Sequence, residues 1–302
     1  DDTLSVYYGG ADTVSCLATC SLSALSREMV PEKPSETVNF NQEIGPIMFR
    51  RFEENPILRP VADHAWEKLA VFNPAACVED GKIRLFYRAM SDAYVSSFGY
   101  AESQDGYHIS VRSNDPVYQP HESFERNNTG SHYGCEDPRI TKIDETYYVC
   151  YTAYDGVNTP RIAFTTLKAA DLIQNHWNWT DPVVISPPGI DDKDACLFPK
   201  KINDKYIFLH RMNESIWLDG VDDLQFSEGE VITGKSIIDV RPDKWDAQKV
   251  GIASPPLETK EGWLLLYHGI DRNNHYNVGA LMLDLENPEH CLSRLDYPIF
   301  TP

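Results

Sequence analysis

Arg88, Arg211, Lys249, His210 and His268 stand in or beside strand-like segments of this 302-residue chain, in company with Asp137, Asp194, Asp12, Asn73 and Tyr276. Cations of these types hold an anion, guanidinium through a fixed fork and ammonium as a point charge. Carboxylates, an amide and a phenol hold hydroxyl groups, and a carboxylic acid can also deliver a proton. The set suits an anion and a sugar bound side by side. It does so only if residues as distant in sequence as Asp12 and Tyr276 meet in space. Taken singly, each has a plainer explanation. Asp137 could tie a turn with Arg139, the histidines could be structural, Arg88 and Arg211 could pair with acidic neighbours, and Lys249 could be a solvated surface lysine.

The elements that would position them form an internal repeat. A polar turn followed by a strand ending in an aromatic residue or His occurs five times, at residues 2–8, 81–87, 145–151, 204–210 and 262–268. Each mixes β-branched, aromatic and aliphatic residues over a strand's length. A proline-marked segment precedes it, at Asn73-Pro74, Asp137-Pro138, Phe198-Pro199 and Pro255-Pro256. Another strand follows it, at 99–102, 162–165, 216–219, 278–281 and 14–17. Intervals of 58 to 79 residues between units accommodate a four-stranded propeller blade of ~40–50 residues plus longer loops.

The repeat predicts an all-β fold, a five-bladed β-propeller forming a single domain over residues 1–302. The fifth unit has its later strands at the N-terminus and no proline-led first strand. The ring is therefore expected to close by pairing N- and C-terminal segments, with one blade incomplete. In a propeller the innermost strands and the loops above them line a central funnel, so recurring positions converge there. One such column reads Gly9, Arg88, Thr152, Arg211 and Gly269, which packing alone does not explain.

Forty-six acidic residues against 27 basic give a formal charge of −19. A field of that sign repels nucleic acid and anionic membrane, while a local basic cluster can still bind a small anion. Seven cysteines, odd in number and scattered through apolar runs, read as buried free thiols rather than a disulfide framework or zinc site. No metal site is apparent. No apolar run approaches the ~20 residues of a membrane span and no signal peptide opens the chain, so a cytoplasmic protein is expected.

These motifs resemble glycoside hydrolase family 130. The resemblance is carried by Gly134-Cys135-Glu136-Asp137-Pro138-Arg139, Phe72-Asn73-Pro74, Tyr87-Arg88-Ala89, Lys193-Asp194-Ala195 with Leu197-Phe198-Pro199, Leu209-His210-Arg211, Tyr267-His268-Gly269 and Tyr7-Tyr8-Gly9-Gly10-Ala11-Asp12. It runs over nearly the whole chain in permuted order: residues 1–28 resemble the family's C-terminal blade segment, 29–302 the remaining blades. The family holds β-mannoside phosphorylases and some β-mannosidases.

The resemblance implies one catalytic acid, Asp137, protonating the leaving oxygen through the 3-hydroxyl of a bound mannose. Phosphate attacks the anomeric carbon from the opposite face, inverting it and releasing α-mannose 1-phosphate. Arg88, Lys249, His268 and Tyr276 match phosphate-binding positions; Asn73, Asp194, His210, Arg211 and Asp12 would hold sugar hydroxyls. No cofactor is implied beyond inorganic phosphate as co-substrate. The partners are an oligosaccharide and phosphate, and a homo-oligomer is in keeping with the family. The cationic set favours phosphorolysis, since inverting hydrolysis calls for a second carboxylate across the sugar. An inverting β-mannosidase on the same scaffold and a non-catalytic carbohydrate-binding propeller are the rivals. The acceptor sugar (glucose, mannose or N-acetylglucosamine) and the linkage have no readable code.

Overall fold

The structure is a computed structural model and describes residues 2–30, 49–227 and 229–301; most of the polar stretch after Met29 lies outside them. Nearly all its regular structure is β. Tight turns set the strand pairing. Asp80-Gly81 and Asn203-Asp204 both place two successive residues in left-handed backbone, with φ of 51° and 69°, and 51° and 64°. That is the two-residue hairpin turn whose twist suits antiparallel strands.

Among the described residues the strands form four sheets. The N-terminal sheet holds Thr3–Gly10, Val14–Ser21 and Arg50–Arg51. The next is eight-stranded and consists of two antiparallel meanders. The first is Ala70–Glu79, Lys82–Met90, Val95–Ser103 and Ile109–Arg112; the second is Tyr133–Ile143, Thr146–Tyr154, Arg161–Lys168 and Val183–Val184. Two parallel pairs, Val95 with Tyr133 and Ser96 with Gly134, join them. The third sheet holds Asp192–Leu197, Tyr206–Met212, Ser215–Val221 and Lys235–Ile238. The fourth holds Lys249–Ile252, Trp263–Ile270, Tyr276–Leu283 and Cys291–Arg294, with Leu257–Glu258 beside Trp263–Ile270. Each of the five repeated sequence segments lies in a strand of its own unit, so the repeat is real.

A separate apolar cluster lies between each unit and the next. Tyr7 packs with Leu58, Val71 and Leu85; Phe86 and Phe98 with Tyr118 and Tyr151; Ile162 and Phe164 with Leu197 and Phe208; Leu209 and Ile216 with Trp263 and Leu265. The fifth cluster joins Leu264, Leu266 and Ala280 to Ala18 and Leu25, and so returns the last sheet to the first. No sheet closes on itself among the described residues. The two ends of the chain meet by packing instead of the expected shared ladder. Phe300 bridges Val278 of its own sheet and sets its ring edge-on to Tyr8 at 4.8 Å, while Arg51 donates to the Thr301 carbonyl at 2.5 Å.

Two repeat markers shift register. Proline marks the first strand in only two units, because Phe198-Pro199 and Pro255-Pro256 lie beyond Asp192–Leu197 and Lys249–Ile252. In the last unit, Tyr267 pairs with Gly279 as Tyr87 does with Gly99 and Tyr151 with Ala163. Tyr267, not His268, is thus the counterpart of the other tyrosines. A one-residue slip moves a side chain to the opposite face of its strand, which sets His268 in the row of Arg88, Thr152 and Arg211.

The row behind is anchored by buried carboxylates. Tyr87 donates to Glu67 and Tyr267 to Asp246, each at 2.8 Å, Tyr151 donates to Glu125, and His210 Nδ1 meets Asp192 at 2.8 Å. Glu67, Glu125, Asp192 and Asp246 are all fully buried, and Arg112, Arg241 and Arg294 neutralise two of them. Buried charge is tolerated when paired in this way. With that row fixed, alternation along each strand turns the next residue the other way. All seven cysteines are free; four are buried as expected, while Cys20, Cys77 and Cys291 are half-buried.

Candidate active site

The first strand of three units is interrupted at the same place. Register shifts fall between Phe72 and Ala75, Glu136 and Arg139, and Lys193 and Cys196. Inside each shift sits one residue in left-handed backbone: Asn73 (φ 47°), Asp137 (φ 51°) and Asp194 (φ 57°). Asn and Asp are the side-chain-bearing residues that enter this region most readily, and a bulge re-aims the side chain it carries. Three units therefore present one short polar side chain each by the same backbone device.

The first two units meet directly. Asn73 Nδ2 donates to Asp137 Oδ1 at 2.9 Å, and Arg88 Nη1 approaches the same oxygen at 3.5 Å. Arg88 is held by Glu136 (Nη2 to Oε1, 2.7 Å) and Ser96 (Nε to Oγ, 3.0 Å), over the Phe72 ring at 4.9 Å. The Asp137 side chain stays 23% exposed. Burial pushes the Glu136 carboxyl up; the charge of Asp137 adds to this, and Arg88 and Lys193 oppose it.

Asp194 stands in the other two units' territory. It is 5% exposed. Its Oδ2 accepts from Arg211 Nε at 2.7 Å, its Oδ1 from Arg139 Nη2 at 3.2 Å, and His268 Nε2 lies 3.6 Å from Oδ2. Burial pushes this carboxyl up, but the Arg139 and Arg211 guanidiniums, with His268 and Lys193 nearby, reverse the effect and hold it well below the usual carboxylate range. His268 is pushed down to about 4, by burial first and by Arg139 and Arg211 next, against Asp194; its imidazole is neutral at pH 7. Gly251 is required beside them, since a Cβ there would lie within 2.6 Å of both His268 Nε2 and Asp194 Oδ2.

Burial, Arg211 and Lys193 all push the Lys249 ammonium down, against Asp191 and Glu214. Arg88, Arg139 and Arg211 are engaged by carboxylates. Lys193 and Lys249 form no ion pair among the described residues. These two ammoniums, on the first strands of neighbouring sheets, are cations of the site that no carboxylate contacts among the described residues.

At the rim, Tyr276 is 59% exposed, with its ring 5.9 Å from that of His268. The charges of Arg211, Asp194, Asp12 and Asp137 all bear on it, which sets Asp12 near the same centre. Asp12 itself is exposed, in the turn after Thr3–Gly10, which Thr13 pins to Val71 N at 2.9 Å. His210 lies behind the site, fully buried, with Nε2 unpartnered. The structure thus gathers Asn73, Arg88, Asp137, Asp194, Arg211, Lys249, His268 and Tyr276, with Asp12 at the edge and His210 beneath. The sequence reading did not assign Glu136, Arg139 and Lys193, which flank Asp137 and Asp194. The bulges set neighbours in sequence into one site where regular alternation would have separated them.

A hydrogen-bonded, partly exposed acid beside unpaired ammoniums, on an all-β scaffold, is the equipment of a carbohydrate-active enzyme that also handles an anion. The chain belongs to glycoside hydrolase family 130, whose model, described as β-1,4-mannooligosaccharide phosphorylase, matches residues 48–302. It is 39% identical over 265 residues to the 1,2-β-oligomannan phosphorylase of Thermoanaerobacter sp. (strain X514), covering 85% of this chain and 83% of the relative. It is 38% identical over 274 residues to the β-1,2-mannobiose phosphorylase of the same organism, covering 84% of each. Among solved structures it resembles the β-1,2-mannobiose phosphorylase of Listeria innocua in complex with β-1,2-mannobiose, with a TM-score of 0.66, 26% identity, and 82% and 83% of the two chains covered.

Proposed function

We infer that the chain is a β-mannoside phosphorylase, cleaving a β-mannosidic bond with inorganic phosphate to give α-mannose 1-phosphate. The observation that carries this is its 38–39% identity to two phosphorylases over most of its length. Two unpaired ammoniums in the same cluster as Asp137 agree with it. Asp137 supplies the proton, relayed by the 3-hydroxyl of the mannose, as the bond from the anomeric carbon to the leaving oxygen breaks. A phosphate oxygen forms the new bond from the opposite face, and the proton that phosphate carried restores the acid.

Lys249, His268 and Tyr276 receive the phosphate, with Lys193 as a further cation, while Arg88, tied to Glu136 and Asp137, orients the acid. Asn73 and Asp12 hold sugar hydroxyls, while buried Asp194, Arg211 and His210 hold the inner wall in place. Inversion goes with a single displacement, in which phosphate, already anionic and needing no second carboxylate to activate it, attacks from the face opposite the leaving oxygen. The names of the 38–39% relatives favour a β-1,2 linkage. We further propose that the five units are blades of one propeller domain, residues 1–28 standing for the family's last blade segment. The five inter-unit clusters, each joining one unit to the next and the last to the first, support that ring.

The test is incubation with β-1,2- and β-1,4-mannobiose, with and without phosphate, followed by phosphorus NMR. Phosphate-dependent cleavage of the β-1,2 disaccharide with α-mannose 1-phosphate as first product is expected. Free mannose at a rate indifferent to phosphate would establish the hydrolase instead.

A further inference from the structure

An exposed aromatic pair beside Arg88 has no part in the chemistry described so far. Tyr94 and His132 stack with ring centroids 4.7 Å apart and planes 10° from parallel. Tyr94 is 48% exposed and His132 is exposed as well. Both have left-handed backbone, with φ of 58° and 57°. Histidine enters that region fairly readily, but for Tyr94 the conformation is an outlier, kept where the surroundings over-determine it and concentrated at functional sites. Tyr94 N donates to Ser91 O at 2.9 Å and His132 N to Ala93 O at 3.2 Å. Two residues on, Gly134 (φ 138°) lies so close to the Ser96 backbone that any side chain there would collide with it.

The pair has a defined place relative to the reacting groups. It immediately precedes the parallel pairs Val95–Tyr133 and Ser96–Gly134, and Ser96 Oγ is the group that accepts from Arg88 Nε. Tyr94 stands in the turn just before Val95–Ser103, with only Val95 between it and Ser96. The rings therefore border the Arg88 and Asp137 side of the site. In the phosphorolysis inferred above, the leaving oxygen is on the acid's side and phosphate on the other. The sugar carried by that oxygen extends past Asp137.

We propose that Tyr94 and His132 form the platform on which the leaving sugar of the mannoside stacks, and on which the acceptor sugar stacks in the reverse, synthetic direction. A pyranose offers an apolar C–H face to an aromatic plane, and a rigid ring supplies contact area with few rotors to order. The proposal rests on the phosphorylase reading for the identity of that sugar.

Tyr94→Asn removes the ring while retaining a residue that tolerates left-handed backbone; Tyr94→Phe keeps the ring; His132→Asn probes the second ring in the same way. In synthesis from α-mannose 1-phosphate and mannose, Tyr94→Asn should raise the acceptor KM about tenfold and leave the KM for α-mannose 1-phosphate within about twofold. Tyr94→Phe should restore the acceptor KM, and thermal unfolding should be unchanged in all three variants. An unchanged acceptor KM, or an equal rise in both constants, would overturn the platform. Calorimetric binding of β-1,2-mannobiose without phosphate separates the two readings. A wild type that binds the disaccharide but does not phosphorolyse it removes the phosphorylase and leaves the platform standing if Tyr94→Asn weakens binding. Binding unaffected by Tyr94→Asn removes the platform, and no binding by the wild type removes both.

Discussion

Asp137 and Asp194 occupy the same position in successive units, each in left-handed backbone inside a first-strand bulge, and their surroundings make them different groups. Asp194 is buried between two guanidiniums that hold it ionised. Asp137 takes an amide donor and one distant guanidinium nitrogen and keeps part of its carboxylate open. One backbone device thus delivers a fixed charge on one side and an accessible acid on the other. What separates the two is the residue each neighbouring strand supplies: Asn73 beside Asp137, Arg211 beside Asp194. Carboxylates whose environments differ in this way are how one site assigns separate roles to chemically identical groups.

Exchanging the two residues' fates should break this contrast in opposite ways. Asp137→Asn is expected to lower kcat by about a thousandfold or more, as loss of a general acid does, with a nearly unchanged unfolding midpoint; steady-state kinetics and denaturant unfolding measure the two. Asp194→Asn leaves Arg139 and Arg211 without their buried partner and should destabilise the fold by about 3–5 kcal/mol, read by the same unfolding experiment. Lys249→Met sharpens the division on the phosphate side. It should raise the KM for phosphate roughly ten- to a hundredfold with little effect on the KM for the mannoside, consistent with loss of one charged hydrogen bond.

The effect that appears most gradually is a pH dependence. His268, at about 4 in the fold against an ordinary 6.5, binds its proton more readily in the unfolded chain. Stability should therefore fall as the pH drops from 6.5 towards 4, by at most about 1.4 kcal/mol per pH unit. His268→Gln should flatten that slope. The contribution of Asp194, whose carboxyl is held below its ordinary 3.8, is present above that pH and lost only below it, so a slope between pH 6.5 and 4 reports His268 and not Asp194.

The sequence made the repeated strands readable because β-branched and aromatic residues recur in phase between polar turns. It also made most of the centre readable, since Asn73, Arg88, Asp137 and Arg211 fall at matching places. What it concealed has local causes. Proline at Phe198-Pro199 and Pro255-Pro256 marks positions past the first strand, so Asp194 was not seen as the counterpart of Asn73 and Asp137. The tyrosine of the last unit precedes a histidine, which drew the alignment one residue too far. Period-two reasoning hides Glu136, Arg139 and Lys193, because a bulge suspends that period where they stand. The buried carboxylates Glu67, Glu125 and Asp246 lie in connectors with no pattern to announce them.

The central claim is that an open acid and unpaired ammoniums flank one mannose ring from opposite faces. A crystal structure of the protein soaked with mannose and phosphate tests it most directly. The account predicts a phosphate oxygen about 2.7–2.9 Å from Lys249 Nζ, with the sugar between that phosphate and Asp137. A phosphate on the Asp137 face of the ring, or one bound away from both Lys193 and Lys249, would contradict it.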